Sequence, residues 1–147
     1  MILMVMRHGI AERTRTTDFE RCLTQTGITG VKHSAEKLHQ VPTKIIASPL
    51  VRARETANLV SDVLQIEQPI ITMDELSPSG RPEIVVDKLS EISQSDTCLL
   101  VSHQPFVSIF IQYLTGRRVY LETANIAGLR LDVLGPTCGD LQWFICD

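Results

Sequence analysis

Two stretches constrain the fold of this chain more than any other. They are Ile2-Leu3-Met4-Val5-Met6 and Thr97-Cys98-Leu99-Leu100-Val101. Neither alternates polar and apolar positions, so neither reads as a strand with one wet face. Short, uninterrupted apolar runs of this kind are strands covered on both sides, the usual state of central strands in a parallel sheet. Between and after them the pattern becomes helical. Ile28, Val31, Ala35 and Leu38 form one stripe over about residues 26–39, and Ala53, Ala57, Val60 and Leu64 form a second. A third helix opens at Pro82 with Val85, Leu89 and Ile92 inward, and a fourth runs from Pro105 to about Thr115, where Gly116 stops it. Short strands are expected at 44–47 and 69–72, and a closing hairpin has arms near 126–134 and 141–146. Ser48 is placed to cap the second helix, with Pro49 at its first position. Alternating strands and helices predict an α/β fold with a largely parallel sheet.

With 147 residues, 44% of them hydrophobic and 21% charged, the chain is expected to form one domain, 1–147, with a substantial core. A net charge of −3 supplies no basic field, which argues against nucleic acid as a partner. No apolar run reaches membrane-spanning length. The apolar start is cut off by Arg7 and follows no basic region, unlike a secretion signal, so a cytoplasmic location is the expectation. Cys22, Cys98, Cys138 and Cys146 form no CxxC pair. Reduced thiols are therefore expected, with no disulfide framework and no zinc site, and Cys98 reads as a small core residue.

Three apolar strands end in residues with chemistry. Arg7-His8-Gly9 follows the first, Ser48-Pro49-Leu50-Val51-Arg52 the second, and Ser102-His103-Gln104-Pro105 the third. In open α/β sheets ligands bind beyond the carboxyl ends of the strands, so the three segments are expected to converge. Two lead into helices, whose first N–H groups favour anions. Arg7 and Arg52 offer guanidinium forks to phosphate oxygens. His8 is the expected nucleophile. Its neutral ring would attack phosphorus through one nitrogen while the other donates to a backbone carbonyl. Neighbouring arginines keep it uncharged, and Gly9 lets the chain bend around it. His103, if protonated, would donate to the transferring group. An isolated Arg-His-Gly would arise by chance in on the order of one chain in a hundred of this length. His103 alone would be an ordinary structural histidine, and Arg52 alone a solvated helix residue. Their joint placement after three strands carries the reading.

Arg7-His8-Gly9, Ser48-Pro49 with Arg52 and Thr56-Ala57, and Ser102-His103 together resemble the histidine phosphatase superfamily, the phosphoglycerate mutase-like fold. The short length is similar to its SixA-type phosphohistidine phosphatases. So are Arg21-Cys22-Leu23-Thr24, with Cys22 where proline is usual, Leu76-Ser77-Pro78-Ser79-Gly80, and Ala124-Asn125-Ile126-Ala127. The resemblance implies a three-layer α/β/α sandwich around a mixed six-stranded sheet with one antiparallel strand. It implies a phospho-His8 intermediate and a phosphate pocket of Arg7, Arg52 and His103, with Arg21 as a further contact. It implies no metal and no organic cofactor.

Larger members carry a glutamate general acid near 76–80, where this chain has Pro78. Alcohol leaving groups need a proton, whereas a phosphorylated imidazole takes one from solvent, so the loss favours phosphohistidine. Asp74 and Glu75 are substitute acids by position, although solvated loop carboxylates are the simpler reading. The chain also lacks long capping insertions. An open site suits a phosphohistidine on a phosphotransfer domain or phosphocarrier protein. The alternatives are a phosphatase of small phosphomonoesters and a module that binds phosphohistidine without hydrolysing it. A monomer is the working expectation. Arg13 and Arg15 read as a solvated loop, and Trp143 and Phe144 as alternating inward and outward on the last strand.

Overall fold

The computed structural model describes residues 1–147. Strand β1 (Ile2–Arg7) is followed by helix α1 (Gln25–Glu36), β2 (Lys44–Ala47), α2 (Val51–Leu64), β3 (Ile71–Thr72), α3 (Pro82–Leu89), β4 (Thr97–Ser102), α4 (Phe106–Thr115), β5 (Ile126–Leu131) and β6 (Gly139–Ile145). A single 3-10 turn, Asp74–Leu76, joins β3 to α3. The six strands form one sheet in the order β3-β2-β4-β1-β5-β6. β1, β2, β3 and β4 run parallel, β5 is antiparallel to β1, and β6 is antiparallel to β5. Only β5 therefore opposes β1, as the resemblance implies.

The unbroken apolar character of β1 follows from its position. Leu3 and Val5 face one core with Leu100, Phe106, Phe110 and Leu114. Met4 and Met6 face the other, with Val31, Ala35, Ala53 and Ala57 of α1 and α2. Helices thus cover both faces of the central strands, while β6 alternates in burial on the terminal hairpin and β3 is exposed at the opposite edge. Trp143 lies against Gly128, where any Cβ would collide with the indole, while Phe144 is exposed. Cys98 is buried in β4, which pushes its thiol up to about 11 and keeps it protonated. No helix is long and apolar enough to cross a membrane.

The fold corrects several local expectations. α2 begins at Val51 with Leu50 as its N-cap, because Ser48 is held elsewhere (see below). Two of its opening N–H groups are already engaged: Leu50 donates to Ser48 Oγ at 3.3 Å and Val51 to the Phe19 carbonyl at 3.1 Å. They are not free for an anion. α1 starts after Thr24, whose hydroxyl accepts from Gly27 N–H at 3.0 Å, and it ends at Glu36. β3 is two residues long at the sheet edge. The Gly9 carbonyl does lie against the His8 ring, 2.6 Å from Nδ1, but the missing side chain has a further use. A Cβ there would meet Val31 Cγ2 at 2.7 Å and the Gly27 carbonyl at 3.0 Å, so its bareness lets α1 lie against the end of β1.

Candidate active site

The register of the parallel strands builds the site. Arg7 pairs with Ser102 across β1 and β4, and Ala47 pairs with Val101 across β2 and β4. His8 and His103 therefore leave adjacent strands side by side, with ring centroids 5.1 Å apart, close to the inter-strand spacing. The chain diverges immediately afterwards. α1, the helix after β1, belongs to one core layer and α4, the helix after β4, to the other. Such a divergence between two strand ends is the usual ligand position in open α/β sheets.

His8 is 8% exposed. Its Nδ1 lies 2.6 Å from the Gly9 carbonyl, which only accepts, so the ring proton sits on Nδ1 and Nε2 carries the lone pair. Burial, opposed in part by that hydrogen bond and reinforced by Arg52, Arg7 and Arg21, lowers the His8 pKa to about 4. The ring is a free base at neutral pH. Gly9 N–H donates to Thr56 Oγ1 at 3.1 Å, and that hydroxyl donates to the Arg52 carbonyl at 2.7 Å. One α2 threonine thus ties the backbone beside His8 to the turn that carries Arg52.

The His8 ring does not present an open face. Arg52 Nε–H donates to His8 Nε2 at 3.3 Å, so a guanidinium covers that nitrogen. The rest of that guanidinium is held by Asp18, with Nη1 on its carbonyl at 2.9 Å and Nη2 on its carboxylate at 3.3 Å. Burial lowers the Arg52 pKa and Asp18 offsets it. Arg21 donates through Nη1 to the other Asp18 carboxylate oxygen at 2.9 Å and through Nε to the Glu12 carbonyl at 2.6 Å. Asp18 is thereby held well below the usual carboxylate range, chiefly by Arg21.

His103 is 1% exposed, and its pKa is lowered to about 3 by burial, then by His8 and Arg52. The expected imidazolium is therefore a neutral ring. Its Nε2 lies 2.7 Å from Ser48 Oγ. Ser48 Oγ accepts from Leu50 N–H, so its own proton is available to His103 Nε2. With Ser48 donating to Nε2, the His103 proton sits on Nδ1, which is buried without a partner. Arg7 donates through Nη1 to Tyr120 Oη at 3.3 Å and to the Leu121 carbonyl at 3.2 Å, while its buried Nε has no partner. Asp18, Tyr120 and Ser48 in these roles were missed in the sequence. Asp18 and Tyr120 lie in segments without periodicity, and Ser48 was assigned to a helix cap.

The substitute acids do not join the cluster. Glu75 pairs with Lys88 at 3.0 Å, which holds its carboxyl below the usual range, and Asp74 makes no polar contact with the four central residues. No group of three or more His, Cys, Asp or Glu side chains converges to hold a metal ion. Arg13 stays exposed, and Arg15 pairs with Glu12 at 2.9 Å.

A free-base histidine at the ends of parallel strands, flanked by arginines and a second histidine, is the hallmark of one class of phosphoryl-handling fold. The chain belongs to the histidine phosphatase superfamily, whose branch 1 profile matches residues 3–78. It is 30% identical over 146 residues to a phosphohistidine phosphatase SixA homolog of Haemophilus influenzae, covering 90% of this chain and 89% of that one. It is 28% identical over 150 residues to phosphohistidine phosphatase SixA of Escherichia coli K12, covering 97% and 92%. Among solved structures, the protein histidine phosphatase SixA complexed with tungstate superposes with a TM-score of 0.88 at 27% identity, covering 99% of this chain and 97% of that one.

Proposed function

We propose that this chain is a phosphohistidine phosphatase that works through a phospho-His8 intermediate. The observation that carries the reading is the state of His8: uncharged, its proton on Nδ1 and its Nε2 lone pair turned to the Arg52 guanidinium. A phosphoryl group entering between Arg52 and His8 would take the Arg52 donors and the unpartnered Arg7 Nε and His103 Nδ1 protons as ligands, with Arg21 adding charge. These donors match the equatorial oxygens of a phosphoryl group in transfer. His8 Nε2 attacks phosphorus, the P–N bond to the substrate imidazole breaks, and that imidazole leaves protonated from solvent. Water then attacks phospho-His8, giving inorganic phosphate and restoring the free base. His103 serves as a neutral Nδ1–H donor throughout.

Two features favour a phosphorylated histidine on a protein over a small phosphomonoester. An ester needs a protonated acid for its leaving alkoxide, and both Glu75 and Asp18 are held ionised by cationic partners. Exposed apolar side chains also adjoin the site. Ile10 follows Gly9, Phe19 follows Asp18, and Tyr120 touches Arg7; they are 41%, 48% and 67% exposed. Such a rim suits a protein surface better than a solvated sugar phosphate. The substrate is accordingly a phosphotransfer domain or phosphocarrier protein, met in the cytoplasm by a single-domain enzyme.

The test is phosphate release from a phosphohistidine protein, with rapid quenching in alkali to trap labelled enzyme. Label on the wild type and none on His8→Ala is the expected pair of results. Wild-type enzyme that prefers a sugar phosphate by kcat/KM, or that binds the phosphoprotein without releasing phosphate, refutes the proposal.

A further inference from the structure

We propose that Asp18 sets the anion selectivity of this site. Its carboxylate is a tethered counter-ion on Arg52 and Arg21, and an incoming phosphoryl group has to displace it. The inference rests on the reading of these two arginines as phosphate ligands.

The contacts define the arrangement. The two carboxylate oxygens are divided between the arginines, one on Arg21 Nη1 at 2.9 Å and one on Arg52 Nη2 at 3.3 Å. The Asp18 carbonyl takes Arg52 Nη1 at 2.9 Å. An oxyanion with oxygens shared between two guanidinium groups is what a bound phosphoryl group would look like from the same side. The remaining Arg52 donor, Nε, rests on His8 Nε2 at 3.3 Å, so the residue that covers the nucleophile is itself anchored by Asp18.

The two partners differ in their freedom to move. The Arg52 side chain is 5% exposed and that of Asp18 is 64% exposed. Asp18 lies in an exposed stretch without helix or strand, bounded by the Ala11–Leu23 bridge and by the Val51 N–H bond to the Phe19 carbonyl. Its carboxylate can swing into water without breaking an element of the sheet or its helices. A charge on so short a tether acts as a competitor at an effective concentration on the order of millimolar. Free anions, inorganic phosphate included, must outcompete it with charge alone. A phosphohistidine on a protein brings contacts outside the pocket as well, so the counter-ion penalises small anions most and helps the product leave.

The deciding experiment is calorimetric titration of the wild type, Asp18→Asn and Asp18→Ala with inorganic phosphate near neutral pH at fixed ionic strength. Both variants are expected to bind phosphate about three- to tenfold more tightly than the wild type. Their kcat/KM on p-nitrophenyl phosphate should rise by a larger factor than that on a phosphohistidine protein. Unchanged or weaker phosphate binding in both variants overturns the proposal and makes Asp18 a support that holds Arg52 in place. Arg52→Ala separates the layers of the argument. It should lose most of the phosphate affinity, and if it does not, the assignment of Arg52 as a phosphate ligand falls and the role of Asp18 with it. Because phosphate is the probe, tighter binding in the Asp18 variants stands even if the physiological substrate is not phosphohistidine.

Discussion

The two sides of the pocket are prepared for an anion in opposite ways. On the Arg7 side, Arg7 Nε and His103 Nδ1 are buried with no hydrogen-bond partner. On the Arg52 side, all three guanidinium nitrogens are engaged, one by His8 and two by Asp18. A buried polar group without a partner costs about 1–3 kcal/mol, so the first side stores free energy that an oxyanion would release. The second side has its own oxyanion in place and gains only the difference between a carboxylate and a phosphoryl group. One wall is held rigidly by β1 and β4, and the other closes through an exposed loop. Binding strength and selectivity can thus be set separately, by the strand ends and by the loop.

The sharpest break in this contrast is removal of the group both walls serve. His8→Ala should lower turnover of a phosphohistidine protein by about 10^4-fold or more, read as phosphate release, while leaving phosphate binding measurable. Next in size, Arg52→Ala should cost about 10^2- to 10^3-fold in kcat/KM, since it removes donors from the transferring group as well as the cover on His8. Ser48→Ala tests the rigid wall. Without its hydroxyl, the His103 proton is no longer directed to Nδ1, and kcat/KM should fall about tenfold with little change in melting temperature. A Ser48→Ala enzyme as active as the wild type would remove His103 Nδ1 from the mechanism.

The smallest effects are in pH. With the His8 pKa at about 4, kcat/KM should stay level from neutrality down to about pH 5 and fall below that, with an acid limb near pH 4 in place of the usual histidine value of 6.5. Stability should follow the same two rings. His8 and His103 are less basic in the fold than in the unfolded chain, so between their folded values and 6.5 the unfolded state binds more protons. Stability is then full above about pH 6.5 and is lost as pH falls through 4 to 3. Melting temperatures of the wild type and His103→Gln over that range check the sign, and the variant should show the shallower decline.

Much of this architecture could be read without coordinates. The unbroken apolar runs at 2–6 and 97–101 announced doubly covered strands, and Pro82 and Gly116 marked helix ends where they fall. His8 and His103 are legible because each follows a strand directly, and Arg52 because it opens the helix after β2; strand ends and helix starts are local features. Two readings differ from the structure for a shared reason. Ser48 binds His103 instead of capping α2, and His103 is neutral instead of an imidazolium. Each depends on the folded surroundings: on His103 for Ser48, and on burial, then His8 and Arg52, for His103.

Periodicity, strand-end chemistry and the triplet Arg7-His8-Gly9 are carried by neighbouring residues, so the α/β class, the covered central strands and the histidine proposed as nucleophile are written in the primary structure. The 5.1 Å approach of the two rings, the neutrality of His103 and the hold of Asp18 on Arg52 arise from strand register, from burial and from a contact 34 residues apart. Distance and desolvation govern hydrogen bonds and proton affinities, and both come into being only when the chain is folded.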